Sequence, residues 1–302
     1  MTGGTGLLGV NWAAAMRDVH DVWLGTHRRG LQLRGVRATA LTLESTPALA
    51  RALDELRPDV IVHAAGLSNV DDCERSPAIA HAINAELAAT VAGAAAERDL
   101  KLVHISTDHL FAGDRPFTAE DGIPAPMNAY ARSKLEGERL VAARCPQALI
   151  VRTNFFGWGH ALRKSISDWV IEGLRSGQRL RMFNDVYFTP ILAARLARAA
   201  HALLSAGASG VVHLGGDERV SKHEFALRLA AAFGLPAAGI ESSRYADAGL
   251  AAPRPRDMSL SNARARGILG TSLGGLDEFF AELRDQEAAG LGGELQRAIT
   301  EQ

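Results

Sequence analysis

Three side chains in two short segments have the types needed to place a proton on a carbonyl. Thr107 lies in His104-Ile105-Ser106-Thr107-Asp108-His109-Leu110-Phe111, and Tyr130 and Lys134 lie in Tyr130-Ala131-Arg132-Ser133-Lys134. Tyr130 is one of three tyrosines and Lys134 one of four lysines, in a chain whose positive charge is mostly arginine. A free phenol has a pKa near ~10, too high for ready proton exchange at neutral pH. A nearby cation favours the phenolate and lowers that value. Residues i and i+4 share one face of a helix, which puts Lys134 beside Tyr130. A hydroxyl at the end of a strand, here Thr107, can hydrogen-bond the same substrate oxygen. Tyr-x-x-x-Lys also arises by chance on many helices, so its weight depends on the elements around it.

Those elements begin with Gly3-Gly4-Thr5-Gly6-Leu7-Leu8-Gly9, which leads into a helical stretch, Asn11 to Arg17. Glycines at 3, 6 and 9 permit a tight turn, close approach of backbone to a pyrophosphate, and packing of helix on sheet. The N-terminus of that helix then turns free N–H groups and a positive dipole towards the phosphates. The spacing departs from G-x-G-x-x-G, and an ordinary flexible turn is the competing reading.

Further along, strand and helix alternate. Strands are expected at His20–Leu24, Asp59–Ala64, Leu100–Ser106 and Ala148–Arg152. Helices are expected at Pro47–Leu56, Asn128–Ala143 and, as one long alanine-rich region, Asp71–Arg98. Nearly continuous apolar strands suit a parallel sheet buried on both faces. The expectation is an α/β fold with a Rossmann-type doubly wound parallel sheet and a smaller mixed α/β substrate-binding region. The division is placed at 1–153 for the NAD(P)-binding part and 154–302 for the substrate-binding part, the two partly interleaved. Sites should gather at the carboxyl ends of the strands. Gly3–Gly9, Ala64–Gly66, Thr107 and Arg152–Thr153 fall there.

On these residues the chain resembles an extended short-chain dehydrogenase/reductase, and within that superfamily the dTDP-4-dehydrorhamnose reductase family. The glycine turn, His63-Ala64-Ala65-Gly66, Asn69-Val70-Asp71-Asp72-Cys73-Glu74, the Thr107 and Tyr130 segments, Arg152-Thr153-Asn154-Phe155-Phe156-Gly157, Phe188-Thr189-Pro190, Gly210–Gly216 and Arg254-Pro255-Arg256-Asp257 carry the likeness. The resemblance implies Thr107, Tyr130 and Lys134 as the catalytic set. Tyr130 would protonate the sugar C4 oxygen as hydride arrives, and Lys134 would hold the nicotinamide ribose and tune Tyr130. It places Ala64, Ala65 and Asn84 along the cofactor with Gly3, Gly6, Leu7, Leu8 and Gly9. It closes the second half over a nucleotide-linked sugar, with Asp108, His109, Asn154, Phe155 and Arg254 on the substrate. For Arg254 and Arg256 a solvated loop between prolines is the alternative. His109 stands where the rhamnose reductases usually carry tyrosine, Phe155 lies near a replaced tryptophan, and Ala131 stands where glycine is usual.

Cofactor choice is read from Gly25-Thr26-His27-Arg28-Arg29. An acid after the second strand favours the free 2′-hydroxyl of NAD, whereas arginine accommodates a 2′-phosphate. No acid is present, so NADPH is expected in preference to NADH, read by Arg28 or Arg29, which sequence does not separate. Only Met1 and Thr2 precede Gly3, where such a domain normally has a first strand of five or six residues. The expectation is a truncated first strand, a sequence starting too late, and neighbouring strands with unsatisfied backbone groups.

Composition limits the alternatives. The chain has 302 residues, 47% hydrophobic, with a net charge of −1. That balance favours neither nucleic acid nor an anionic membrane as partner. Two cysteines, Cys73 and Cys145, suggest no disulfide framework. No leader and no apolar run of membrane-spanning length are read, so the cytoplasm is the default. The histidines show no metal-ligand spacing, and no metal is assigned. The resemblance raises a homodimer, which no motif here shows. In the second half, Ile191–Leu204 and Ser221–Phe233 read as helices, with a strand at Val211–Leu214. Ser221 three residues before Glu224 fits a capping box. Leu276–Gln302 reads as charged and helical. Three functions compete: a reductase of a nucleotide-linked 4-keto-6-deoxysugar, another sugar-nucleotide enzyme such as an epimerase, and a non-catalytic NADP-binding subunit. The last is kept because the regulatory subunit of methionine adenosyltransferase resembles the same family. His109 after Asp108, where dehydratases carry Asp-Glu, argues against dehydration.

Overall fold

The computed structural model describes residues 1–27 and 29–301, with the side chain of Glu301 outside the description. α1 (Leu7–Met16) leads to β1 (Val22–Thr26), β2 (Arg29–Leu31) and β3 (Val36–Ala40). α2 (Thr46–Leu56) precedes β4 (Val60–His63). Then come α3 (Val70–Arg75), α4 (Pro77–His81), a π turn (Ala82–Glu86), α5 (Leu87–Ala96), β5 (Lys101–Ile105), α6 (Ala129–Arg144) and β6 (Leu149–Thr153). The second half holds β7 (Phe155–Phe156), α7 (Ile166–Arg175), β8 (Leu180–Phe183), β9 (Tyr187–Phe188), β10 (Ile191–Leu192), α8 (Ala193–Ser205) and β11 (Gly210–Leu214). β12 (Val220–Ser221), α9 (Lys222–Ala232), β13 (Ile240–Ser243), α10 (Ala263–Leu269), α11 (Leu276–Ala288), α12 (Leu291–Arg297) and β14 (Ile299–Glu301) complete it.

The central sheet is parallel, as the apolar runs require. β11, β6, β5 and β4 lie side by side, and β1 pairs with β3. Met1 and Thr2 stand between these two groups. Thr2 N–H donates to Val62 O at 2.9 Å, and Gly25 N–H donates to Met1 O at 2.8 Å. The order across the sheet is therefore β3, β1, Met1–Thr2, β4, β5, β6, β11. The expected shortage of backbone partners is relieved at the upper end, where the site lies. Lower down, β1 and β4 are separated by a cavity of about 260 Å3 bordered by Trp12, Val22, Leu53 and Ile61.

Two expectations need correction. The helix expected over residues 71–98 is three helices and a π turn. Pro77 opens α4, because a proline tolerates the first helical position but not the interior. Second, Pro77–Ala96 is long and apolar enough to cross a membrane by length and composition. Half of it is buried, with Ala80, Ala85, Ala88, Val91, Ala92 and Ala95 facing the interior. The alanine richness that raises its hydropathy also lets α5 and the π turn approach the sheet and α6 closely.

The second half is not separate from the first. β11 extends the central sheet beside β6, and β14 pairs antiparallel with β2. Beneath the second half, Phe156, Phe225 and Phe280 pack edge to face, with centroids 5.1 Å apart for the first two and 5.2 Å for the last two. Such pairs add about 0.5–1.5 kcal/mol beyond burial. They fix β7, α9 and α11 against each other.

Candidate active site

A cleft of about 180 Å3 collects the residues expected around a cofactor. Gly3, Gly6, Leu7, Leu8 and Gly9 form one wall, and Ala64, Ala65 and Asn84 another. Tyr130 and Lys134 lie in the same cleft, with Phe155 and Arg163 from the second half. The glycines are required by space. Gly3 has φ +67°, and a Cβ there would sit 2.7 Å from Ala65 N. A Cβ on Gly9 would sit 2.6 Å from the Gly4 carbonyl oxygen. α1 starts after Gly6 with no side-chain cap, so its first N–H groups are left for a ligand. This donor set fits a dinucleotide pyrophosphate.

Asn84 sits in the π turn, a feature frequent at functional sites. Its Oδ1 accepts from Leu67 N–H at 2.8 Å, and its Nδ2 donates to Leu67 O at 3.0 Å and to Ser133 Oγ at 2.9 Å. Its hydrogen-bonding groups brace the Ala64–Ser68 loop against α6. Gly137 lets α6 come this close, since a Cβ there would meet Asn84 O at 2.4 Å.

α6 begins at Asn128, whose side chain accepts from Ala131 N–H at 2.8 Å. That cap sets the helical phase that carries both Tyr130 and Lys134. Thr107 follows β5, its Oγ1 accepts from His109 N–H at 3.3 Å, and it lies close enough to Tyr130 to act on the phenol. The Tyr130 phenol is pushed up to about 12, by burial first, against the lowering effect of Thr107. Lys134 is pushed down to about 8 by burial, partly offset by Glu138. Its Nζ donates to Ile105 O at 2.6 Å. The expected lowering of the phenol by Lys134 is thus reversed in direction. Desolvation disfavours the phenolate, and the lysine directs one proton to the β5 carbonyl.

Asp108 is buried and accepts from Asn154 Nδ2 at 2.7 Å and, weakly, from Thr107 Oγ1 at 3.4 Å. His109 stands edge-on to Tyr130, and burial holds its imidazole below the usual histidine range. Thr107, Asp108 and His109 therefore lie near Tyr130, Phe155 shares its cleft, and Asn154 is joined to them through Asp108. Arg254 acts on His109, but its guanidinium is already engaged, donating to Asp71 Oδ2 at 2.9 Å and to Ala252 O at 3.1 Å. Arg256 pairs with Asp185. Arg28 lies outside the described residues. Arg29 opens β2, and with Arg163 it lowers His160, whose main perturbation is burial.

Arg152, expected near the site at its strand end, is buried in an ion pair with Glu138 at 2.7 Å. Two residues were not singled out from the sequence. Arg163 reaches across the cleft to Ser68 Oγ at 2.8 Å. Lys222 begins α9 and lies over the Phe188 ring. Nothing local flags Arg163. Lys222 does carry a signal, a cation directly after the cap Ser221, where the helix dipole disfavours positive charge.

Comparison with known proteins agrees with this arrangement. The sequence profile of the RmlD substrate binding domain matches residues 1–285. The chain is 31% identical over 290 residues to "Probable low-salt glycan biosynthesis reductase Agl14" of Haloferax volcanii, covering 94% of this chain and 96% of the relative. It is 31% identical over 291 residues to methionine adenosyltransferase 2 subunit beta of Danio rerio, covering 90% and 85%. A crystal structure of a hypothetical dTDP-4-dehydrorhamnose reductase from Sulfolobus tokodaii superposes with TM-score 0.79 at 34% identity, covering 91% of this chain and 97% of that one. The fold is also shared with dTDP-4-dehydrorhamnose reductase of Bacillus anthracis in complex with NADP, with TM-score 0.84 at 24% identity, covering 94% and 97%. With the glycine turn, the Tyr130–Lys134 helix and the sheet order in place, the chain belongs to the RmlD substrate-binding domain family of sugar-nucleotide reductase homologues.

Proposed function

We propose that the protein is an oxidoreductase that reduces a nucleotide-linked 4-keto-6-deoxysugar with NADPH, Tyr130 giving the proton. The observation that carries this reading is that Tyr130 shares one cleft with Lys134 and the Gly3–Gly9 turn. The reductase relatives support it, and NADP in the Bacillus anthracis structure supports the cofactor. Bound NADPH would supply the hydride to the sugar carbonyl. The free N–H groups at the start of α1 would hold its pyrophosphate, and Arg29, with Arg28, its 2′-phosphate. A phenol raised to about 12 stays protonated at neutral pH, as a donor must. Thr107 aims that proton, and Lys134 faces the same cleft while anchored to Ile105 O.

The second reading, a non-catalytic NADP-binding subunit, is favoured by the methionine adenosyltransferase relative. NADPH oxidation with dTDP-4-dehydrorhamnose as probe separates the two. The proposal expects oxidation in the wild type that is lost in Tyr130→Phe with NADPH binding retained. NADPH binding without turnover of any nucleotide-linked 4-keto-6-deoxysugar supports the subunit reading.

A further inference from the structure

Lys222 occupies a place that folding alone does not favour. It is the first residue of α9, directly after the cap Ser221, whose side chain accepts from Glu224 N–H at 3.0 Å. The exposed N–H groups and dipole at that end repel a cation. Its ammonium lies 3.2 Å from the Phe188 ring centroid, on a ring that is fully buried. Among the described residues Lys222 forms no salt bridge, and no hydrogen bond to its Nζ is present. The nearest opposite charge acting on it is Asp108, whose carboxylate already accepts from Asn154. The Phe188 contact contributes about 0.5–2 kcal/mol at most. An apolar side chain of the same length would cover that ring without the repulsion.

The direction of the side chain gives a reason for these costs. The charge of Lys222 acts on both Asp108 and His109, so its ammonium on Phe188 lies near the segment that follows β5. His109 in turn meets the Tyr130 ring edge-on. Lys222 therefore lies on Phe188 and near His109, the neighbour of Tyr130, with donor capacity unused. Arg254, the other cation acting on His109, is tied to Asp71. Arg163 is bonded to Ser68 on the cofactor side.

We propose that Lys222 is a specificity-determining residue of the substrate pocket, donating hydrogen bonds to ring-substituent oxygens of the hexose and not to the nucleotide diphosphate. This rests on the sugar-nucleotide reductase reading. A charged donor strengthens such bonds over a neutral one, and losing it leaves the hydroxyls it served without a partner.

The test uses the full chain with NADPH and dTDP-4-dehydrorhamnose. Lys222→Met keeps the stem on Phe188 and removes the charge. The expected result is a KM for the sugar nucleotide raised about 10- to 100-fold, the loss typical of a charged hydrogen bond. NADPH binding and the inhibition constant of free dTDP should stay close to wild type, and the thermal midpoint should hold or rise. Lys222→Gln, which keeps a donor, should recover part of the KM. An unchanged KM in Lys222→Met overturns the inference. So does an equal loss of dTDP binding, which would assign the lysine to the diphosphate. A lowered thermal midpoint with no KM change would assign it to folding. Failure of the wild type to turn over the sugar nucleotide, judged before any variant is compared, overturns the underlying reading and the inference with it.

Discussion

His109 meets Tyr130 edge to face, with ring centroids 5.6 Å apart and planes at 82°. The two residues come from different elements, the segment after β5 and the first turn of α6. Their contact joins the residue that departs from the rhamnose reductase pattern to the phenol of the proposed chemistry. Burial lowers the imidazole pKa, so the ring at this contact is neutral near pH 7.

His109→Ala should therefore act on substrate and leave cofactor binding alone. Losing an aromatic pair of about 0.5–1.5 kcal/mol corresponds to about 2- to 12-fold in KM for the sugar nucleotide. Steady-state kinetics beside an NADPH fluorescence titration separate the two effects. A loss confined to NADPH affinity would remove His109 from the substrate side.

Tyr130→Phe removes one oxygen and leaves the buried ring in place. If Tyr130 is the proton donor, turnover should fall about 10²- to 10⁴-fold, the range for a positioned general acid. NADPH affinity should change less than about threefold, because the α1 N–H groups that bind phosphate are untouched. Retained turnover would show that another group delivers the proton.

Gly9→Ala tests the glycine turn. The new methyl would press on the Gly4 and Gly3 carbonyl oxygens at 2.6 and 2.7 Å, and backbone has no rotamer by which to move aside. Overpacking of this kind costs about 1–3 kcal/mol. The expected outcome is weaker NADPH binding with a modest fall in thermal midpoint. Unchanged binding would mean that the turn does not contact the cofactor.

Glu138 and Arg152 are both buried, with side chains 5% exposed. Glu138→Ala would leave the guanidinium without its carboxylate, a loss of about 3–5 kcal/mol. Urea denaturation should show it as a lower midpoint. The double variant Glu138→Leu with Arg152→Met should recover much of that loss, because an apolar pair of similar volume needs no desolvation of charge. A single variant as stable as wild type would show that the pair contributes nothing.

Lys134 gives a pH dependence with a definite sign. Its folded pKa is depressed from 10.5 to about 8 by burial, Glu138 opposing, with His63 and His104 beside it held neutral. Below about pH 8 both folded and unfolded chains carry the proton. Between about 8 and 10.5 the unfolded chain keeps a proton that the folded chain has released. The contribution of Lys134 to stability therefore rises with pH across that window. The stability difference between wild type and Lys134→Met should shift in favour of wild type from pH 7.5 to pH 10, tested at those two values. A constant difference would contradict a depressed lysine.

Much of the site was legible because its signals are local. The Gly3–Gly9 turn, the Tyr130–Lys134 spacing and the apolar runs of β4, β5 and β6 each declare themselves within a few residues. Binary pattern and helix geometry act at that range. The π turn at Asn84 was not legible, because alanines on either side give no register and the turn is set by packing on Gly137. The Pro77 break was visible in composition and still passed over within an alanine-rich run.

By itself the sequence determined the α/β class, the parallel sheet, the glycine turn and the placing of Tyr130 and Lys134 on one helix. Those properties follow from side-chain type and period. The tertiary structure decided what each group experiences. Arg254 meets Asp71 across 183 residues of chain, which removes it from the free cations near the site. Lys134 turns to Ile105 O, and burial drives the Tyr130 phenol up instead of down. Met1 and Thr2 take the central strand position because Val62 and Gly25 offer partners on either side. Lys222 meets the Phe188 ring through the packing of α9 on β9. Desolvation and long-range pairing depend on neighbours brought from elsewhere in the chain, and no local pattern encodes them.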